Sequence, residues 1–181
     1  MALFALAGLG GAAVGLVRGG RPRRLLALGL RWTPLVWACL AAQLLLGGTP
    51  DGPHPLVRDL AVVASYAGTG VWLAVNAASH AGGVRAGFAV VLAGWLLNVV
   101  PMALNDGMPV STAARRAIGA EEQRIAEGSL WKHVPASRAT RVAWLGDVVP
   151  VDPVHVVISV GDIVLLAGLG AVVASALREA A

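Results

Sequence analysis

Ser159-Val160-Gly161-Asp162 opens an apolar run, Ile163-Val164-Leu165-Leu166-Ala167-Gly168-Leu169-Gly170-Ala171-Val172-Val173-Ala174-Ser175-Ala176-Leu177, which holds no charge until Arg178. A bilayer core takes about 20 mainly apolar residues in helical form, so this run reads as a membrane crossing. Ser159 and Asp162 ahead of it have the spacing of a capping box, with an acid at the positive end of the helix. Upstream lies a polar segment that ends in a second Gly-Asp pair, Gly146-Asp147. A water-facing segment joined directly to an apolar helix decides both the fold class and the face that carries the distinctive chemistry.

Composition agrees. Hydrophobic residues make up 57% of the 181 and charged residues 13%, and the mean hydropathy is +0.73. These values lie outside the soluble globular range, and the length allows one membrane domain, taken as residues 1–181. The formal charge of +4 is not a nucleic-acid footprint. Arg18, Arg21, Arg23, Arg24 and Arg31 carry five positive charges, and the remainder of the chain is close to neutral. A single basic cluster beside an apolar span is an orientation signal. Cys39 is the one cysteine, so neither an internal disulfide nor a paired-cysteine zinc site is available. One lysine against thirteen arginines, with abundant Ala, Gly and Val, points to a GC-rich bacterial source.

Five segments have the character of spans, and the expected fold is an all-α polytopic membrane bundle of about five helices. The first is Ala2 to Val17, whose Gly11 and Gly15 form a GxxxG pair, with Gly8 nearby, suited to close helix packing. Its first charge follows the apolar stretch, unlike a signal peptide. The second covers about Leu25 to Leu46, with Arg31 and Pro34 in its first half. A rival reading makes Pro22 to Trp32 an interfacial helix followed by a shorter crossing. Gly47 to Pro53 is rich in turn residues. The third runs from about Leu60 to Ala78, and the fourth from about Gly87 to Leu104, broken near its end by Pro101. The fifth is about Val160 to Leu177. With the arginine cluster inside, the N-terminus lies outside and the C-terminus in the cytoplasm of a plasma membrane. The long segment 105–158, between helices 4 and 5, is then extracytoplasmic.

The polar residues at that face form the candidate site: Asn98, Asn105, Asp106, Ser111, Asp147 and Asp162. Asn98 and Asn105 are seven apart and share a helix face. Inside a span Asn98 needs a partner, either an interhelical one such as Gln43 or Asn76, or a ligand. Asn105-Asp106-Gly107 reads as a helix-ending turn, with glycine taking positive φ. Ser111 is placed to cap a short helix from Thr112 to about Ile118, and a second short helix is expected around Glu121 to Glu127. Trp131 and Trp144 suit the membrane interface, and Val134 to Arg138 reads as irregular. Asp147 and Asp162 are either a turn residue and a cap, or two carboxylates that converge to bind a cation or divide acid and base roles.

His54, His80, His133 and His155 show no helical ligand spacing, so neither a metal nor a cofactor is expected. P-loop, Rossmann and G-x-S-x-G patterns are missing from the sequence. Leu16-Val17-Arg18-Gly19-Gly20-Arg21 follows the first span, Gln43 with its leucines lies in the second, and Asn98 precedes Asn105-Asp106-Gly107-Met108-Pro109-Val110-Ser111. Leu145-Gly146-Asp147-Val148-Val149-Pro150 and Ser159-Val160-Gly161-Asp162-Ile163 complete the set. In these stretches the chain resembles the DUF5317 family of small bacterial membrane proteins. Asp106 departs from it, standing where a second glycine is usual. The resemblance implies a five-helix membrane protein and no activity. Three functions are weighed: a non-enzymatic accessory subunit that binds membrane lipids or a membrane protein partner, an enzyme acting at the outer leaflet through the Asp/Asn cluster, and a small transporter or ion path. The first is preferred, and oligomeric state is left open.

Overall fold

A computed structural model describes residues 2–47, 55–119 and 133–179. The chain begins with α1 (Ala2–Val17), a five-residue α2 (Pro22–Leu26), and α3 (Thr33–Gly47). Two long helices follow, α4 (Pro55–Ser79) and α5 (Gly82–Asn105). The polar segment contributes β1 (Met108–Val110), α6 (Thr112–Ala117), β2 (His133–Pro135), β3 (Asp147–Val151) and β4 (Val156–Ser159), and α7 (Val160–Arg178) closes the chain. Among the described residues, three helical stretches are long and apolar enough to cross a membrane: Asp59–Ser79, Gly82–Asn105 and Val160–Arg178. The apolar α1 is shorter.

α5 and α7 pack antiparallel through glycines seven residues apart on each helix. A Cβ at Gly87 would come within 2.7 Å of Val172, one at Gly94 within 2.7 Å of the Gly161 carbonyl, and one at Gly168 within 2.6 Å of the Val91 nitrogen. Lipid tails are as apolar as leucine, so helices associate by close packing, which small residues permit. α1 joins α7 in the same way, but parallel. Gly11 abuts Gly170, and Gly15 lies where a Cβ would be 3.0 Å from the Ala174 carbonyl. The GxxxG expectation therefore finds its partner in α7, whereas Gly8 has nothing within 4 Å of a Cβ. Leu73, Val84, Phe88, Val172 and Ala176 form the apolar centre of the bundle.

The second predicted span is interrupted, as in the rival reading of a separate helix from Pro22 followed by a shorter crossing, although that first helix is only five residues long. α2 ends at Leu26, Trp32 takes φ 55, and α3 starts with Pro34 in its first turn, where a missing N–H costs nothing. Arg31 thus sits in the break and is exposed, not within a helix. Asn76 of α4, 0% exposed, holds the break by accepting from the Arg31 N–H at 3.0 Å and donating to the Arg31 carbonyl at 3.1 Å. Non-helical backbone at membrane depth is tolerated where protein satisfies it. Asn76→Leu is expected to cost about 2–4 kcal/mol, because two main-chain groups lose their partner. Thermal unfolding in detergent measures it, and a loss below about 0.5 kcal/mol would show that the break needs no such support.

Beyond α5, the all-α expectation meets a small four-stranded sheet of order β2-β1-β3-β4. β1 runs parallel to both β2 and β3, and β3 pairs antiparallel with β4. Val134 and Pro135, read as irregular, belong to β2. Strands of three to five residues are too short for periodic patterning to reveal. The expected helix after Ser111 is present, with the Ser111 hydroxyl accepting from the Ala114 N–H at 3.2 Å. The helix expected around Glu121 to Glu127, Trp131, and the turn-rich 48–53 lie outside the described residues. Pro101 does not end α5, which continues to Asn105. Gly107 takes the positive φ expected of it, at 152, and Asp106 before it is left-handed as well, at φ 57. Aspartate tolerates this conformation, and it is one glycine adopts freely.

Candidate functional site

The β3–β4 hairpin brings the two Gly-Asp pairs together. Its register sets Asp147 opposite Ser159, with an irregularity between Asp147 and Val149. Asp162 lies one turn beyond Ser159. Gly146 makes the approach possible, because a Cβ there would strike the Pro109 carbonyl of β1.

Ser159, Asp162 and Asn98 form a closed hydrogen-bonded ring. The Ser159 hydroxyl accepts from the Asp162 N–H at 2.9 Å, and Asp162 Oδ2 accepts from the Ser159 N–H at 3.1 Å, a reciprocal capping box. Asn98 Nδ2 donates to Asp162 Oδ1 at 2.7 Å, and Ser159 Oγ donates to Asn98 Oδ1 at 2.7 Å. The interhelical bond expected of Asn98 exists, but its partners are on α7 and its cap, not Gln43 or Asn76. Asn76 is engaged at Arg31 instead. Gly161 gives the amide its space, since a Cβ there would fall on Asn98 Oδ1. The ring fastens the first turn of α7 to the middle of α5, and through Ser159 it fastens the sheet as well.

Asp147 is different in kind. It is buried, 6% exposed, and its Oδ2 lies 3.5 Å from His133 Nε2. Burial first, and then the charge of Asp162, push its carboxyl up to about 7. A carboxyl with that value exchanges a proton near neutral pH. Tyr66 of α4 also lies within electrostatic range of Asp162. His133, Ser159 and Tyr66 were not among the residues expected at the site. His133 stands opposite Met108 in the β1–β2 register, a pairing that sequence spacing does not show. Tyr66 is the sole tyrosine, and a lone phenol inside a span was a signal of sorts.

The other expected residues serve the backbone. Asn105 Oδ1 accepts from the Arg141 N–H at 2.8 Å, and its Nδ2 donates to the carbonyls of Arg141 at 2.9 Å and Pro101 at 2.7 Å. It thereby anchors the loop in which Val142 takes φ 44, an uncommon state for a β-branched residue. Ser111 caps α6, and its N–H donates to the Asp147 carbonyl at 2.9 Å. Asp106 is exposed at the end of α5. Asn98, Asp147 and Asp162 therefore gather at one place, while Asn105 and Asp106 stand apart from it.

The family described as a family of unknown function, DUF5317, matches residues 27–174. The chain belongs to the DUF5317 family. The DUF5317 match includes Tyr66, Asn98, His133, Asp147, Ser159 and Asp162, and begins after α1 and α2. Searches of curated proteins and of solved structures return no match.

Proposed function

We propose that this DUF5317 protein is a non-enzymatic accessory subunit of a bacterial plasma membrane, which binds a membrane protein partner or lipids through its sheet-bearing end. The closed ring of Ser159, Asn98 and Asp162 carries this reading. The Ser159 hydroxyl, 0% exposed, donates to an amide and has no base, so it is not an activated nucleophile. Both Asp162 oxygens accept protein donors. Asn98, Asn105, Ser111, Ser159 and Asp162 are engaged in holding the small sheet and its loops on the helices, as a presenting surface requires.

The proposed topology has five crossings, with the shorter α1 and α3 joining the three long helices. Arg21 donates its N–H to the Leu177 carbonyl at 2.7 Å, while Asp162 meets Asn98 at the other end of α7. The arginine cluster and the sheet thus occupy opposite ends of the bundle, and short arginine-rich loops stay cytoplasmic. A cysteine at the exposed position Ala139, in a Cys39→Ser background, is expected to react with an impermeant maleimide on intact cells. Labelling only after lysis would reverse the orientation.

Purification in mild detergent, with mass spectrometry of what accompanies the chain, tests the binding role. Asp162→Asn is expected to lower stability by about 0.5–2 kcal/mol, as for a lost cap, and to keep the co-purifying partner at low temperature. A well-folded Asp162→Asn protein with a deletion phenotype would argue against a fastening role. A second reading, an enzyme at the outer leaflet, is favoured by one observation: the buried Asp147 carboxyl near 7 beside His133.

A further inference from the structure

At the arginine-rich end of the bundle, away from the sheet, α2, α4, α5, α7 and the turns beside them line a half-open cavity of about 330 Å³. This is the lower end of the range for small-molecule sites. Leu28, Val84 and Ala176 supply apolar wall, while Arg24, His80 and Glu179 supply polar groups. Arg24 Nη1 donates to the Arg178 carbonyl, and Glu179 Oε1 accepts from the Gly83 N–H at 2.7 Å. Among the described residues, these two opposite charges line one cavity without pairing to each other. A guanidinium has five donors, so Arg24 retains several, and Glu179 retains acceptor capacity at Oε2. His80 Nδ1 is 2.8 Å from the Asn76 carbonyl. A carbonyl only accepts, so Nδ1 is the donor, and in that tautomer Nε2 is left as an acceptor.

We propose that this cavity binds the zwitterionic phosphoethanolamine head group of a membrane phospholipid. The phosphate faces Arg24 and the ammonium faces Glu179 and His80, with the first part of an acyl chain along the apolar wall. A purely anionic head group would meet Glu179 unscreened, and a purely cationic ligand would meet Arg24. A zwitterion satisfies both. The place fits a lipid, because the cavity lies where α4 ends, α5 begins and α7 ends, at the ends of the three helices long and apolar enough to cross a membrane. Choline carries no N–H and cannot donate to a carboxylate, so it is the weaker zwitterion.

Native mass spectrometry of the full chain in mild detergent tests this with phosphatidylethanolamine, phosphatidylglycerol and phosphatidylcholine. Phosphatidylethanolamine is expected to be retained about tenfold over the other two, in line with charge-assisted hydrogen bonds. Glu179→Gln should abolish the preference over phosphatidylglycerol, and Arg24→Gln should weaken retention of all three about tenfold. A Cβ at Gly29, which lines the cavity, meets nothing within 4 Å. Gly29→Phe should therefore block binding with the unfolding temperature unchanged. Equal retention of the three lipids by the unmodified chain would overturn the proposal, as would full retention by a folded Gly29→Phe protein. Soluble phosphoethanolamine is expected to displace the lipid poorly. Tight binding of it with no lipid retained would overturn the lipid assignment.

Discussion

Gly161→Val is expected to unfold or gravely weaken the bundle, by about 3–5 kcal/mol. Two effects add. The new Cβ falls on Asn98 Oδ1 and within 2.8 Å of the Gly94 carbonyl, so α5 and α7 must separate. Asn98 then loses its bonds to Ser159 and Asp162, and a half-buried amide without partners adds about 1 kcal/mol. Gly8→Val is the control. Its Cβ has open space, and a change within about 0.5 kcal/mol is expected. Thermal unfolding in detergent, read by tryptophan fluorescence, separates the two. Equal midpoints for Gly161→Val and the unmodified chain would sink the assigned helix interface.

Asp147→Asn should alter how stability depends on pH. The folded carboxyl stands at about 7 against an ordinary value of 3.8. Between these values the folded state keeps a proton that the unfolded state has released. Stability from this group is therefore whole below about pH 4, and it declines as pH rises through 7. The difference is on the order of 4 kcal/mol across the window. Asparagine carries no such proton, so Asp147→Asn removes the decline and gains on the unmodified chain as pH rises from 5 to 8. The measured quantity is the difference between the two chains in denaturant midpoint across that range. A constant difference would show that Asp147 is an ordinary carboxylate in the folded protein.

Much of the site was legible in order of residues but not in geometry. Ser159 and Asp162 could be read as a capping box because capping is local, spanning three residues of backbone. The same locality made Ser111 readable as the cap of α6. Asn98 was recognisable as a residue in need of a partner, since an amide in a span is costly without one. Which partner it finds depends on the rotation of α5 against α7. That rotation follows from glycines at 87, 94, 161 and 168, whose significance appears only when both helices are seen together. The His133–Asp147 contact depends on β2 lying beside β1 and β1 beside β3, a parallel order with no signature in strands this short.

Read by itself, the chain showed segments apolar enough for a membrane, marked the third, fourth and fifth of them to within a few residues, and marked the caps that start α6 and α7. Those properties come from transfer free energy and from hydrogen bonds between near neighbours, both additive along the backbone. Tertiary structure alone decided between an unbroken second span and the rival reading of a short helix followed by a shorter crossing, in favour of the latter, and it alone decided the sheet and the joining of Asp147, His133 and Asp162 into one electrostatic group. Each of these depends on contacts between residues far apart in the chain, where small differences in close packing choose among arrangements of similar hydrophobicity.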